Sequence, residues 1–284
     1  MARLPKAIAV DAGSTDPGPY YLGSGQSFTN REAVKRDLAL IIEAGLDAEI
    51  PVLIGTAGGA GAAPHLSWCL EIVNDVLVEL NQTARVAHIE SDQMANDLIT
   101  ALHQHRISPL GPVPSLTVAD ISESTHIVAQ MGVEPVIAAL KEGAQIVVAG
   151  RCYDPAVFAA VPVMQGFSEA LALHMGKILE CAAIAAIPGS GSDCMLGTLD
   201  ASGFVLEALN PDRRCTVTSV AAHTLYEKSD PRLLPGPGGV LDLTGCQFEQ
   251  MDDRRVRVTG TQFVKSDQYT IKLEGAKPVG YRTI

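Results

Sequence analysis

Residues 50–79 read IPVLIGTAGGAGAAPHLSWCLEIVNDVLVE, a stretch that predicts a strand, a glycine-rich loop and a helix in succession. Glycine has no Cβ, so such a loop can turn tightly and lie close to a ligand. The helix is expected to begin near Pro64, a residue that the first turn tolerates. Its free N–H groups and dipole then favour an anion at the loop. We therefore predict that the ligand contacts Gly55, Thr56, Gly58 and Gly59. The alternative is that these glycines serve packing alone.

Apolar runs alternate with amphipathic stretches on both sides of this segment. Strands are predicted at residues 7–10, 50–55, 85–90 and 144–149. Helices are predicted at residues 29–45 (with Gly45 as the last residue), 94–106, 124–131, 133–142 and 168–187. This alternation favours an α/β fold, a doubly wound and mostly parallel sheet with helices on both faces. The strand ends would then share one edge, where such sheets bind ligands: Asp11, Gly55, Glu90 and Gly150.

The pattern changes near residue 203, after which short β-rich segments are separated by turns rich in Gly, Pro and Asp. Further strands are predicted at residues 116–121, 216–221, 256–258 and 269–273. We therefore divide the chain into an α/β domain, residues 1–202, and a smaller β-rich part, residues 203–284. The last residues, GYRTI, resemble the end of a strand, so we expect either a continuation past Ile284 or a partner that completes it.

Composition narrows the class of protein. The 284 residues carry a formal net charge of -11 and no basic run, which argues against nucleic acid or anionic membrane as a partner. No segment approaches the roughly 18 apolar residues that a membrane-spanning helix needs. The six cysteines are scattered without a CxxC pair and are typical of reduced thiols. We therefore expect a cytoplasmic protein.

The segment GRCYDP follows the strand predicted at residues 144–149 and carries three candidate catalytic residues. Arg151 has a planar guanidinium that can bind a carboxylate with two hydrogen bonds. Cys152 is a candidate nucleophile if a neighbouring charge or a helix end lowers its pKa, and otherwise a packed thiol. Asp154 is a candidate base, and the alternative is that an Asp–Pro pair merely caps a helix.

Two further candidates lie on helices. His65 follows the glycine loop and is interpreted either as an acid or base or as a polar residue of the first helical turn. His174, Lys177 and Glu180 recur every three residues and thus share one side of a helix. We expect burial to make Lys177 a base, the alternative being a solvated helix face. The segment HTLYE, residues 223–227, is a candidate substrate wall or contact between domains.

Loops supply the remaining candidates. In the turn PGSGSDC, Ser190, Ser192 and Asp193 carry hydroxyl and N–H groups that could bind an oxyanion. The alternative is that this turn only connects two elements. Asp11 is expected to bind substrate at the end of the first strand, or else to form a turn. The GTAGGAG loop matches neither GxGxxG nor a P-loop, so a nucleotide is weakly indicated, and no metal site or cofactor is predicted.

Several segments together resemble the acyclic terpene utilisation AtuA family. They include AHTLYEKSDPRLLPGPGGVLDLTG, VRVTGTQF and YTIKLEGAKPVGYRTI, along with GTAGGAGA, AGRCYDPAV and HMGKILECAA. The likeness is strongest from about residue 144 onward, whereas the loop DAGSTDPGPYYLGSG differs from the family pattern. The resemblance implies an intracellular α/β protein that takes part in catabolism of branched or terpenoid acids or their acyl-CoA esters.

From these features we expect an enzyme that transfers protons next to the carbonyl of a small carboxylic acid or acyl-CoA ester, giving hydration, elimination or isomerisation. The glycine loop would hold an anionic group, and Arg151 would bind or polarise the carbonyl. Asp154, His65 or Lys177 would move protons. The alternatives are a non-catalytic subunit that needs a partner chain, and an enzyme that depends on a nucleotide or CoA. A homo-oligomer or an assembly with a partner subunit is expected.

Overall fold

Strands and helices alternate through the first two thirds of the chain in a computed structural model that describes residues 4–226 and 230–280. The strands are β1 (Ile8–Asp11), β2 (Val52–Gly55), β3 (Val86–Ile89), β4 (His126–Ala129), β5 (Ile146–Ala149), β6 (Met195–Leu199), β7 (Gly203–Ala208), β8 (Leu233–Gly236), β9 (Gly239–Asp242), β10 (Gln247–Gln250), β11 (Arg255–Thr259), β12 (Gln262–Lys265) and β13 (Leu273–Ala276). The α-helices are α1 (Pro19–Ser24), α2 (Arg31–Asp47), α3 (Ala63–Glu79), α4 (Ala95–His103), α5 (Val118–Glu123), α6 (Glu134–Lys141), α7 (Ala156–Met164), α8 (Glu169–Leu179) and α9 (Val217–Thr224).

The core is a parallel four-stranded sheet with the order β1–β2–β5–β3. Alternate strand residues point to opposite faces, and both faces are buried. Leu53 and Val147 pack with α6 and α7 on one face. Ile54 and Val148 pack with α2 and α3 on the other. Burial of both faces explains why the two central strands, β2 and β5, carry no polar side chain. The predicted doubly wound sheet with helices on both faces is therefore confirmed.

The carboxyl ends of these strands meet at one edge, as predicted. Asp11 is paired with Gly55 at the ends of β1 and β2. Thr56 extends this pairing, since its N–H donates to the carbonyl of Gly150 at 3.0 Å. The late strand β13 returns to this edge and pairs antiparallel with β4. Residues more than a hundred positions apart in the chain are thus brought to the same edge.

The chain after α8 forms antiparallel sheets, as expected for a β-rich C-terminal part. One sheet has the order β10–β11–β7–β6 and another the order β12–β9–β8. Phe204 and Val258 of the first sheet pack against Leu171 and Met175 of α8. The division at residues 202 and 203 falls in the turn between β6 and β7. The proposed division into domains stays a prediction.

The secondary structure of three segments was predicted wrongly. In each segment, a helix cap or a strand partner determines the structure that forms. Residues 124–131 were expected to be helical, but β4 lies there because β13 pairs with it. Residues 116–121 were expected to be a strand, but Thr117 caps α5 through a reciprocal capping box. Residues 216–221 were also expected to be a strand, yet Thr216 caps α9 in the same way. Local hydrogen bonds at a cap thus outweigh the strand preference of β-branched residues.

Helix boundaries show a second set of differences. Asn30 caps α2 as expected, since its side chain accepts from the N–H groups of Glu32 and Ala33. Gly45 does not end that helix, because it lies inside the last turns. A Cβ there would come within 2.3 Å of Val52 Cγ2, so the glycine allows α2 to lie close to β2. The helix predicted at residues 168–187 ends at Leu179. Of the strand expected at residues 269–273, only the final residue belongs to a strand, as the first residue of β13.

Two sequence-based expectations fall outside the described residues, namely the role of Glu227 and the strand-like ending at residues 281–284. Within residues 4–226 and 230–280, none of the helices combines the length and the apolar character that crossing a membrane requires. The expected cytoplasmic location stays a prediction.

The two-sided burial of the parallel sheet generates a stability prediction. Ile146 in β5 is completely buried, whereas Ile184 is 50% exposed. Ile146→Ala is expected to lower the free energy of unfolding by about 3 kcal/mol, because it leaves a cavity between sheet and helices. Ile184→Ala removes the same atoms from a half-exposed site and is expected to cost less than about 1 kcal/mol. Urea unfolding measures both values, and equal losses would contradict the described packing.

Candidate functional site

Arg151 lies at the centre of a group of charged side chains at the carboxyl edge of the parallel sheet. It directly follows β5, and its side chain is 3% exposed. Its Nε donates to Glu274 Oε2 at 2.7 Å, and its Nη1 donates to Asp154 Oδ1 at 2.7 Å. The guanidinium predicted to bind a substrate carboxylate is therefore paired with two carboxylates of the chain itself.

Thr56 connects Arg151 to the glycine loop. Its Oγ1 accepts from Arg151 Nη1 at 3.2 Å and from the N–H of Cys152 at 3.3 Å. Arg151 Nη1 also donates to the Cys152 carbonyl at 2.7 Å. Thr56 adopts a positive φ of 47°, which a non-glycine residue rarely adopts. The loop conformation is thus tied to the position of Arg151.

Glu274 is a site residue that sequence reasoning missed. It lies on β13, and Gln130 Nε2 and Lys272 Nζ contact its Oε1 at 3.0 and 2.6 Å. Burial acts to raise the pKa of Glu274, but Arg151 and Lys272 hold it below its usual range. One feature of the sequence could have indicated this residue. Glu274 lies two positions from the apolar Ala276 and therefore on the same face of the strand, and a glutamate on a buried face needs a partner.

Asp11 ends β1 beside this group. Its Oδ1 is inaccessible to solvent and has no hydrogen-bond partner among the described residues, although the residue as a whole is partly exposed. Burial raises the pKa of the Asp11 carboxyl well above its usual range, and the Asp154 and Glu180 carboxylates raise it further. Asp11 thus retains its proton at a pH where an ordinary aspartate is ionised.

Lys177 lies near the end of α8, where its Nζ is paired with Glu180. Its side chain is only 2% exposed. Burial acts to lower the pKa of Lys177, but the paired Glu180 carboxylate outweighs this effect and places the pKa above its usual range. This pairing with Glu180, the residue that follows α8, favours a charged lysine, and the role of Lys177 as a base stays a prediction. The six residues grouped here form what we call the ionic cluster: Asp11, Arg151, Asp154, Lys177, Glu180 and Glu274.

His223 and Tyr226 lie near Lys177 of the ionic cluster. Their rings stack with centroids 5.5 Å apart, and Lys177 Nζ lies 5.9 Å from the Tyr226 centroid. His223 is 5% exposed, and its Nε2 has no hydrogen-bond partner among the described residues. Burial and the Lys177 charge lower the pKa of His223 to about 4, so the ring is neutral at pH 7. The expected substrate wall remains a prediction that this placement supports.

His174 belongs to the core despite its spacing from Lys177 and Glu180. Its Nδ1 lies 2.7 Å from Thr261 Oγ1, and its Nε2 lies 3.2 Å from Thr224 Oγ1. Because the Thr224 hydroxyl donates to a backbone carbonyl, we infer that His174 Nε2 donates and Nδ1 accepts. Burial and Lys177 lower the pKa of His174 to about 3. His174 is thus a neutral link between α8, α9 and the turn after β11.

Cys152 is fully buried beneath Arg151. Burial raises the pKa of the Cys152 thiol to about 12. A thiol that stays protonated is a poor nucleophile, because the thiolate is the reactive form. The arrangement favours the alternative of a packed cysteine, and a nucleophilic role stays a prediction.

The glycine loop is buried by the chain itself. Gly58, Gly59 and Gly61 have positive φ values of 67°, 105° and 74°. A Cβ on Gly61 would lie 2.3 Å from the backbone nitrogen of Arg151, and one on Gly58 would lie 2.4 Å from the His65 carbonyl oxygen. These glycines therefore permit close backbone packing, which is the alternative considered for the loop. Ligand contact by the loop stays a prediction.

The expected anion position at the start of α3 is occupied by a side chain of the protein. Asp92 Oδ2 accepts from the N–H of Ala63 at 2.6 Å. The N–H groups of Gly59 and Gly61 donate to the carbonyls of Thr56 and Ala57. Asp92 thus supplies the negative charge that the helix dipole favours.

His65 is separate from the ionic cluster. Its Nε2 lies 3.1 Å from the Tyr21 carbonyl and 3.2 Å from the Gln26 carbonyl. Burial lowers the pKa of His65. We infer that the ring fixes the loop around α1 against α3, and its role as an acid or base stays a prediction.

The PGSGSDC turn also lies apart from the ionic cluster. The hydroxyl groups of Ser190 and Ser192 are hydrogen-bonded to each other, with their oxygens 2.9 Å apart. Asp193 is paired with Arg213 and accepts from Asn210 Nδ2 at 2.9 Å. None of these contacts involves a residue of the ionic cluster, so their role in binding an oxyanion stays a prediction.

The structure thus brings together Asp11, Thr56, Arg151, Cys152, Asp154 and Lys177 from the predicted set, and it adds Glu180 and Glu274. The Asp154 side chain is 27% exposed and is thus more accessible than those of Glu274 and Glu180, at 7% and 4%. Across residues 4–226 and 230–280, no group of three or more His, Cys, Asp or Glu side chains is arranged to hold a metal ion. The chemistry within reach is proton transfer between carboxyl groups in unequal environments.

Comparison with protein families gave one match. A model described as acyclic terpene utilisation family protein AtuA matches residues 33–191 and 199–284. The matched residues include Arg151, Asp154, Lys177, Glu180 and Glu274, but not Asp11. Searches of curated proteins and of solved structures each found no match.

The glycine loop generates a substitution series. Gly61→Ala combines a positive φ with a backbone clash and is expected to lower the free energy of unfolding by about 3 kcal/mol. Gly111 has a φ of +94° but no atom within 4 Å of the place that a Cβ would take, so Gly111→Ala isolates the backbone strain; we expect a cost of about 1 kcal/mol. Gly191→Ala has neither feature and is expected to stay within about 0.5 kcal/mol. Urea unfolding gives the order, and equal effects would contradict the packing of Gly61.

Asp11 generates a prediction on pH. Below its ordinary pKa of 3.8, this carboxyl is protonated in both the folded and the unfolded protein. As the pH rises, the unfolded state loses the proton first, so the wild type loses stability until the pH passes the raised pKa of the folded state. Asp11→Asn is neutral throughout, and its stability relative to the wild type is expected to increase with pH. Urea unfolding across this range checks the trend, and a constant difference between the two proteins would contradict it.

Proposed function

The chain belongs to the acyclic terpene utilisation family, and from that premise we propose that it is a catabolic enzyme of proton transfer next to a carbonyl. The substrate is a small branched acid or its acyl-CoA ester. The family description supports only the association with acyclic terpene utilisation. The reaction is argued from the ionic cluster.

One observation carries the proposal. Asp11 and Asp154 lie close enough to interact, yet their environments differ. Asp11 has an inaccessible Oδ1 and a pKa raised by burial and by neighbouring carboxylates. Asp154 is paired with Arg151 Nη1 at 2.7 Å and is partly open to solvent. Two neighbouring carboxyl groups in such unequal environments are the arrangement that acid–base enzymes use.

The proposed roles follow from the different environments of Asp11 and Asp154. Asp11 donates a hydrogen bond to the substrate carbonyl and stabilises the negative charge that develops on its oxygen. Asp154 acts as the base that removes the proton from the neighbouring carbon. Return of the proton to another carbon gives isomerisation. Elimination results when the hydroxyl group on the next carbon takes up this proton and leaves as water, and hydration is the reverse addition of water.

Arg151 and Lys177 support these steps electrostatically. Arg151 orients Asp154 and is itself fixed by Glu274, Thr56 and the Cys152 carbonyl. Lys177 stays protonated beside Glu180, so its positive charge favours a developing enolate. In this proposal Arg151 is a positioning residue, and Lys177 contributes charge without acting as a base.

The test is hydrogen–deuterium exchange at the carbon next to the carbonyl. The wild type is incubated in D₂O with the isovaleryl and isobutyryl thioesters of N-acetylcysteamine, and incorporation is followed by proton NMR. Asp154→Asn is expected to slow exchange by about 10²–10⁴-fold, the usual contribution of a general base. Asp11→Asn is expected to slow it less, because the amide still donates a hydrogen bond.

The matched control is Asp97→Asn, since Asp97 lies on the exposed first turn of α4. This variant is expected to exchange at the wild-type rate. Exchange by Asp154→Asn at the wild-type rate would remove Asp154 from the mechanism. Absence of exchange in the wild type with both thioesters would reject the proposed reaction and favour a non-catalytic subunit.

A further inference from the structure

Together with Lys272, the described residues of the ionic cluster already balance one another's charges. Arg151 is paired with Asp154 and Glu274. Lys177 is paired with Glu180, and the half-exposed Lys272 is a second partner of Glu274. With Asp11 protonated, three cations face three carboxylates. No cation in the described part of the cluster is left to neutralise an incoming anion.

A ligand carboxylate would meet a negative environment here. The Asp154 and Glu180 carboxylates already raise the pKa of Asp11, and a ligand carboxylate beside them would experience the same repulsion. It would gain Lys177 only by displacing Glu180, whose side chain is 4% exposed. Displacement would leave a buried carboxylate without its counter-ion, which is strongly unfavourable.

Near this cluster, Asp11 Oδ1 and His223 Nε2 are buried without a hydrogen-bond partner among the described residues. His223 is 5% exposed and stacks on Tyr226, over which Lys177 lies. Buried polar groups are nearly always satisfied, so unpartnered ones indicate a polar ligand or water. A group that accepts from Asp11 without adding charge fits both the charge balance and these atoms.

We propose that the ligand group that enters the ionic cluster is an uncharged carbonyl, as in a thioester, ester, amide or ketone, and not a free carboxylate. This inference rests on the proposed function and narrows its substrate to the acyl ester. The carbonyl oxygen accepts from Asp11 Oδ1. A charged part of such a substrate, for example a CoA phosphate, stays outside the cluster.

The experiment compares two probes of nearly equal size, isovaleramide and isovalerate, by ligand-observed NMR titration of the full chain at pH 7.5. The amide is expected to bind at least about tenfold more tightly, a difference that one unfavourable charge contact readily supplies. The affinity for the acid is expected to fall about tenfold per pH unit above the acid's own pKa, because only its neutral form binds. Equal or tighter binding of isovalerate at pH 7.5 would overturn the inference, as would binding of neither probe.

Glu180→Gln provides a gain-of-binding test. Without the Glu180 charge, Lys177 becomes available to an anion, and isovalerate is expected to bind about tenfold more tightly than to the wild type. The matched control is Glu169→Gln in the first turn of the same helix, which is expected to change neither affinity. A Glu180→Gln variant that folds and still excludes isovalerate would contradict the charge argument.

The two proposals fail in different ways. Preferential binding of the amide without deuterium exchange in the thioesters would leave the uncharged-carbonyl inference standing and reject proton transfer. Deuterium exchange together with strong binding of isovalerate would keep the proposed reaction and reject the inference.

Discussion

The contact between Arg151 and Glu274 is the interaction on which the site depends. It joins the end of β5 in the parallel sheet to β13 near the end of the described chain, with the Nε–Oε2 distance at 2.7 Å. Arg151 is almost fully buried, so removal of Glu274 would cost this interior cation one of its two carboxylate partners and leave Asp154 as the other. Through this one guanidinium, the glycine loop, Asp154 and the last described strand are held in a common arrangement.

Burial and pairing distribute protons unequally among chemically similar groups. Burial and the Asp154 and Glu180 carboxylates raise the pKa of Asp11, whereas Arg151 and Lys272 hold the pKa of Glu274 below its usual range. Likewise Lys177 keeps its charge beside Glu180, while the neighbouring His174 and His223 are neutral. The environment, and not the residue type, thus determines which group gives a proton and which accepts one.

The sequence predicted the features that periodicity controls. The parallel strands, their common carboxyl edge and the placement of Arg151 and Asp154 all follow from apolar runs with polar residues at their ends. It did not predict Glu274, because a single glutamate in a late strand carries no sign of its distant partner. Nor could it decide the role of Lys177, because the spacing to Glu180 fits both a proton-transfer set and a solvated face, and only the structure shows the buried ion pair. Residues 124–131 became a strand only through pairing with β13, and such long-range contacts leave no local pattern.

The position of β13 has a consequence for biosynthesis. Arg151 and Glu274 are 123 residues apart, so the first part of the chain leaves the ribosome well before the glutamate exists. Until then the nascent α/β sheet carries an arginine that can remain hydrated only if this edge stays open. Closing so long a segment costs entropy and slows folding. Docking of β13 is therefore expected to be a late event, in which Arg151 at the edge of an already formed sheet gains its Glu274 partner.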